Sequence, residues 1–168
     1  MKKLIYIFIV ILFYSCTPYG AQVEKALRYA AHNRSQLEEV LQHYRKNDAD
    51  SLKFKAAKFL IQNMPYHRSY SAEAYLAYCR EMDSLFINCE EGDTIMAHKA
   101  QEISNRHQNN LTIEYDILNI TADYLKWNID YSFNVWQESD FLRHLTFDEF
   151  CEYVLPYKCL ELQPMIKW

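Results

Sequence analysis

The chain has 168 residues, 50% of them hydrophobic and 24% charged, with a net charge of −4. That length supports one compact domain, and this balance of apolar and charged residues excludes an intrinsically disordered chain. Only 2 Gly and 4 Pro stand beside 14 Tyr, and so few glycines leave little provision for the φ > 0 positions of tight hairpins.

The first signal along the chain is at its N-terminus. Lys2 and Lys3 precede an apolar run, residues 4–14 (LIYIFIVILFY). The run is shorter than the ~20 residues that span a bilayer core of ~30 Å and fits the h-region of a secretory signal. Its FYSC end resembles a bacterial lipobox, in which a small residue precedes the cysteine that becomes lipidated. Cys16 is then the first mature residue and a membrane anchor, each buried CH₂ of its acyl chains contributing about 0.8 kcal/mol. The implied organisation is a signal peptide over 1–15, a lipidated tether over 16–21 and a helical domain over 22–168. The expected location is the cell envelope, lipid-anchored and facing the periplasm. Loss of Lys2 and Lys3 with the leader leaves 16 basic against 22 acidic residues, a net charge of −6. No basic cluster with interleaved aromatics occurs, so a nucleic-acid partner is not expected.

Apolar periodicity then predicts helices nearly throughout. Val23, Ala26, Leu27 and Ala30 form a stripe at i, i+3, i+4, i+7. Ser35 to Glu38 reads as a capping box ahead of Leu37, Val40, Leu41 and Tyr44 on one face. Leu52, Ala56, Phe59, Leu60 and Asn63 line a third helix, stopped by Pro65. Tyr75, Tyr78, Cys79, Met82 and Phe86 line a fourth, and Asp93 or Thr94 caps a fifth that runs to about Arg106. The longest stripe, Leu118, Ala122, Leu125, Ile129, Phe133 and Trp136, holds register for about five turns and marks the central helix. The turn around 90–93 and the HQNN stretch (107–110) are the expected flexible points. Thr146 to Glu149 is a second capping box, with Leu145 and Phe150 placed for a hydrophobic staple, and Pro156 ends that helix. The fold class is all-α: a single irregular domain of about six to seven helices.

Candidate chemistry centres on Cys151. It lies within the stripe Phe147, Phe150, Cys151, Val154, and apolar surroundings raise a thiol's pKa where a nucleophile needs it lowered. His144, two residues before the cap, lies out of its reach. Cys151 therefore reads as a core residue, and no catalytic residue is assigned. With Cys16 lipidated, Cys79, Cys89, Cys151 and Cys159 allow two disulfides in three connectivities or free buried thiols. No metal-ligand spacing, phosphate loop or dinucleotide fingerprint is present, so neither a metal nor a cofactor is expected. The stretch NMPYHRSY (63–70) is the candidate binding surface: Tyr66, His67, Arg68 and Tyr70 could stack on a sugar or grip a peptide. The blander alternative is that Pro65 ends the helix and the aromatics cover its neighbours.

Four stretches occur in order: AAHNRSQLEEVLQHY (30–44), AAKFLIQNMPYHRSY (56–70), ITADYLKWNIDYSFNVWQ (120–137) and FDEFCEYVLPYK (147–158). With the following Glu161, Pro164 and Trp168, they resemble the N-terminal helical region of bacterial transglutaminase-like lipoproteins. The resemblance spans roughly residues 22–168. It implies a helical region preceding a papain-like core that supplies a Cys-His-Asp triad, yet none of those catalytic residues has a matching position here. Lys158–Cys159–Leu160 also departs from the arginine and small polar residues the family tends to place there. The resemblance thus implies a non-catalytic helical portion, truncated or acting as an accessory or interaction domain. Its partners would be the membrane through Cys16 and a transglutaminase-like core or another envelope protein. A face exposing Tyr157, Leu160, Met165, Ile166 and Trp168 would mark that interface. The alternative is a complete small lipoprotein that holds an envelope glycan or peptide on its aromatic surface.

Overall fold

The computed structural model describes residues 19–88 and 94–167. Cys16, the leader, Cys89, Asp93 and Trp168 lie outside them. The fold is all-α, as the composition and periodicity imply. Among the described residues there are eight α-helices: α1 Ala21–Tyr29, α2 Arg34–Arg45, α3 Ser51–Asn63, α4 Ala72–Asn88, α5 Thr94–Gln108, α6 Asp116–Asn119, α7 Ala122–Glu138 and α8 Phe147–Tyr153. Two three-residue strands, β1 Arg68–Tyr70 and β2 Ile113–Tyr115, pair antiparallel with Ser69 opposite Glu114. No helix of the described residues is long and apolar enough to cross a membrane.

The main core joins α1, α2, α3, α6, α7 and α8. Its members from α1 and α2 are those the stripes name: Val23, Ala26, Leu27, Leu37, Val40, Leu41 and Tyr44. Tyr19, which by sequence falls in the tether, is buried with them and packs near Phe54, ring centroids 6.5 Å apart. In α3 the buried face is rotated from the expected one. Ala56, Ala57, Leu60 and Ile61 point inward, with Met64 buried just past the helix end, while Leu52 and Asn63 are exposed. Part-buried polar ties between elements reinforce the packing. Lys53 Nζ lies 2.8 Å from Asp130 Oδ1, and the Tyr44 hydroxyl lies 3.1 Å from the same oxygen, linking α2, α3 and α7.

Two local expectations are overturned, the second by contacts distant in sequence. Ser35 does not cap α2, which starts at Arg34 with Asn33 at the cap position, two residues earlier than the capping box implies. Arg34 takes Glu38 instead, at 2.8 Å, and also reaches Glu24 of α1 at 3.2 Å. The stripe from Leu118 to Trp136 is interrupted, because Ile120 and Thr121 are extended. Asn33 donates to the carbonyls of Ile117 and Ile120, and Gln36 accepts from the amide of Ala122, holding that break open. Thr121 then caps α7 through the amide of Tyr124. Both halves of the Thr146–Glu149 capping box form as read.

Helices α4 and α5 form an antiparallel pair whose buried Leu85 and Ile103 lie outside the main core. The expected stripe on α4 is shallow: Tyr75, Tyr78, Cys79 and Met82 are half-buried and Phe86 is exposed. His107, expected in a flexible stretch, is buried with its Nε2 2.9 Å from Glu81, which also binds Arg106.

Candidate functional site

Three-residue strands are too short to hold a ribbon by themselves, and this one is pinned by the C-terminal segment. The Leu162 carbonyl accepts from the amide of Tyr70 at 3.0 Å, and Ser69 bridges Leu162 in parallel. Leu162 takes φ of 63° to make this contact, a left-handed conformation that costs a non-glycine residue roughly 1–2 kcal/mol. The segment is held mainly by a polar cluster at Asp116. That carboxylate, fully buried at the start of α6, accepts the Tyr157 hydroxyl at 2.8 Å and the Lys158 ammonium at 2.7 Å on one oxygen. The same ammonium donates to the Arg68 carbonyl at 2.7 Å and to the Ser69 hydroxyl at 3.3 Å, which uses all three of its protons. Asp116 Oδ1 has no hydrogen-bond partner among the described residues.

His67 extends the cluster outward. Its Nδ1 lies 3.1 Å from the Tyr157 oxygen. Since that hydroxyl's proton is directed to Asp116, Nδ1 carries hydrogen and donates, leaving Nε2 as the acceptor. Partial desolvation of the ring, which keeps an exposed edge, and the Lys158 charge push the His67 pKa down, against a smaller opposing pull from Asp116. Burial, reinforced by the Asp116 charge, pushes the Tyr157 hydroxyl far up, so it acts as a neutral hydrogen-bonding link. Tyr124 donates to the Tyr157 carbonyl at 2.9 Å and is itself pushed up to about 12 by burial and Asp116.

The cluster borders a cavity of about 270 Å³ lined by residues that include Asn63, His67, Cys151 and Tyr157. The fold thus brings a histidine from residue 67 to the same cavity as Cys151, a neighbour that local spacing could not reveal. The thiol is nonetheless unsuited to attack. Cys151 is 2% exposed, and burial with the Asp148 and Glu152 charges pushes it up to about 11. An active thiolate requires the reverse. Cys79 and Cys159 are free thiols, the first half-buried and the second exposed. Among the described residues no group of His, Cys, Asp or Glu is placed to hold a metal ion.

The candidate surface of Tyr66, His67, Arg68 and Tyr70 is divided by the fold. His67 belongs to the polar cluster, and Arg68 approaches Glu161 at 3.9 Å. Tyr70 is half-buried and stacked on Tyr75, ring centroids 6.3 Å apart. Tyr66 stays exposed but joins different partners: with Tyr29, Pro65, Tyr115, Ile117 and Leu118 it walls a separate pit of about 270 Å³. Tyr29 and Tyr115 carried no site signal in the sequence beyond lying off the buried stripes.

The C-terminal face likewise differs from the expectation. Tyr157 is buried and Met165 packs against the core, while Leu160 is 70% exposed. Beside that segment, a groove of about 400 Å³ between α7 and α8 is lined by residues that include Tyr131, Val135, Tyr153 and Cys159. Compared with known proteins, the chain matches no family model, no curated sequence and no solved structure.

Proposed function

We propose that this chain is the helical, non-catalytic part of an envelope lipoprotein, and that it docks a transglutaminase-like core beside its C-terminal segment. The observation that carries this reading is the groove between α7 and α8. Tyr131 and Tyr153 stand exposed along it, Tyr153 at 77%, and Leu160 projects next to it. Exposed aromatics around a groove fit a protein interface better than scattered surface apolars do. The segment that follows is fixed by Lys158, Tyr157 and the Leu162 bridge, so a unit docked there would meet a rigid surface. Two further features support a non-catalytic role. The Cys151 thiol is sealed and protonated, and the protons of the polar cluster are committed to structural bonds.

The test is photo-cross-linking in intact envelopes from a benzoylphenylalanine placed at Tyr153, with Lys25 as the control position. An adduct containing a transglutaminase-like domain, formed from Tyr153 and not from Lys25, is the expected result. Equal adducts from both positions, or none from Tyr153, would overturn the reading.

A further inference from the structure

We infer that the pit walled by Tyr29, Tyr66 and Tyr115 is a binding site for one neutral pyranose ring. The three tyrosines come from the end of α1, the turn after α3 and strand β2, and they are 48%, 75% and 49% exposed. Single exposed aromatics are ordinary, but three converging on one concavity are not. The Tyr29 and Tyr66 rings stand 6.4 Å apart and inclined at 53°, forming a wedge and not a stacked pair.

Chemistry narrows the occupant. Tyr29, Pro65, Tyr66, Tyr115, Ile117 and Leu118 line the pit without a single charged side chain, so the matching ligand is neutral. A tyrosine offers an apolar ring face and a polar hydroxyl tip. A pyranose presents the complementary pair, a face of C–H groups and a rim of hydroxyls. Shape separates the sugar from a proline-rich peptide. A polyproline helix advances about 3.1 Å per residue and needs a row of successive grooves, whereas a single open pit of about 270 Å³ lined by three tyrosines, Pro65, Ile117 and Leu118 is a compact seat for one ring.

The pit is also built in advance. Asn33 clamps the carbonyls of Ile117 and Ile120, at 3.1 and 2.8 Å. The Asp116 amide donates to the His67 carbonyl at 3.0 Å, tying the Tyr115 strand end to the turn that carries Tyr66. Little ordering cost is left for the ligand to meet.

Saturation-transfer NMR on the full chain tests this with methyl β-glucopyranoside, methyl β-galactopyranoside, methyl α-mannopyranoside, N-acetylglucosamine and its trimer. The expected result is transfer to ring C–H protons of at least one sugar. Binding should weaken at least about tenfold in Y66A and in Y115A, and be unchanged in F141A, at an exposed aromatic outside the pit. Y66F should keep most of the affinity. Melting curves verify that the variants fold, and Tyr66, being largely exposed, can be removed without opening the core. Absence of transfer from every sugar, or equal transfer in Y66A and Y115A, would overturn the assignment. So would binding of a decaproline peptide at this pit in place of the sugars.

Discussion

Cys151 and His67 show how a residue's meaning is set by its surroundings. Both border one cavity, yet the thiol is held protonated by burial and two acidic neighbours. Iodoacetamide at about pH 8, near an ordinary thiol's pKa, should therefore label exposed Cys159 in the native protein and reach Cys151 only after denaturation. Peptide mapping of the alkylated chain checks this, and native labelling of Cys151 at the rate of Cys159 would refute it. For His67 the sign follows from its lowered pKa. The unfolded chain takes up the proton first, so the stability His67 contributes is present above about pH 6.5 and is lost as pH falls through its lower folded value. Urea midpoints compared between pH about 7.5 and about 5 should drop more in the wild type than in H67Q. Equal drops would show that the Tyr157 and Lys158 environment does not depress His67.

Among the elements, the C-terminal segment depends on a buried ion pair and the helices depend on their caps. Breaking a buried pair by removing one partner leaves an unpaired charge and typically costs about 3–5 kcal/mol. K158M, which strands Asp116, should fall in that range by urea denaturation. E161Q should change stability by less than about 1 kcal/mol, because Glu161 and Arg68 are exposed and 3.9 Å apart. A loss in K158M as small as that in E161Q would mean that the buried ion pair does not hold the segment. Local pattern reading worked for α8, whose capping box and buried face involve only near neighbours: Thr146, Glu149, Phe150 and Cys151. It failed at Ser35, where the helix begins at Arg34 with Glu38 and Glu24 as its partners, and at Ile120, where Asn33 and Gln36 from a distant part of the chain redirect the helix ends.

At the scale of the whole molecule, the proposed anchor, docking groove and sugar site make a tethered adaptor. Its first requirement is the anchor. Labelling of expressing cells with radioactive palmitate should mark the wild type and not C16A, and the labelled protein should fractionate with envelopes. An unlabelled wild type would remove the lipid anchor from this account. The sequence by itself determined the helical class and the faces that α1, α2 and α8 bury, because helix periodicity, caps and low glycine content act between residues a few positions apart. Only the tertiary structure decided that Lys158 is a buried clamp, that Asp116 receives Tyr157, and that Tyr66 belongs with Tyr29 and Tyr115 and not with Arg68 and Tyr70. These partners lie tens of residues apart, and three-residue strands carry no alternation to announce their pairing. Such contacts arise when apolar faces pack and bring distant backbone together, a step that local spacing does not encode.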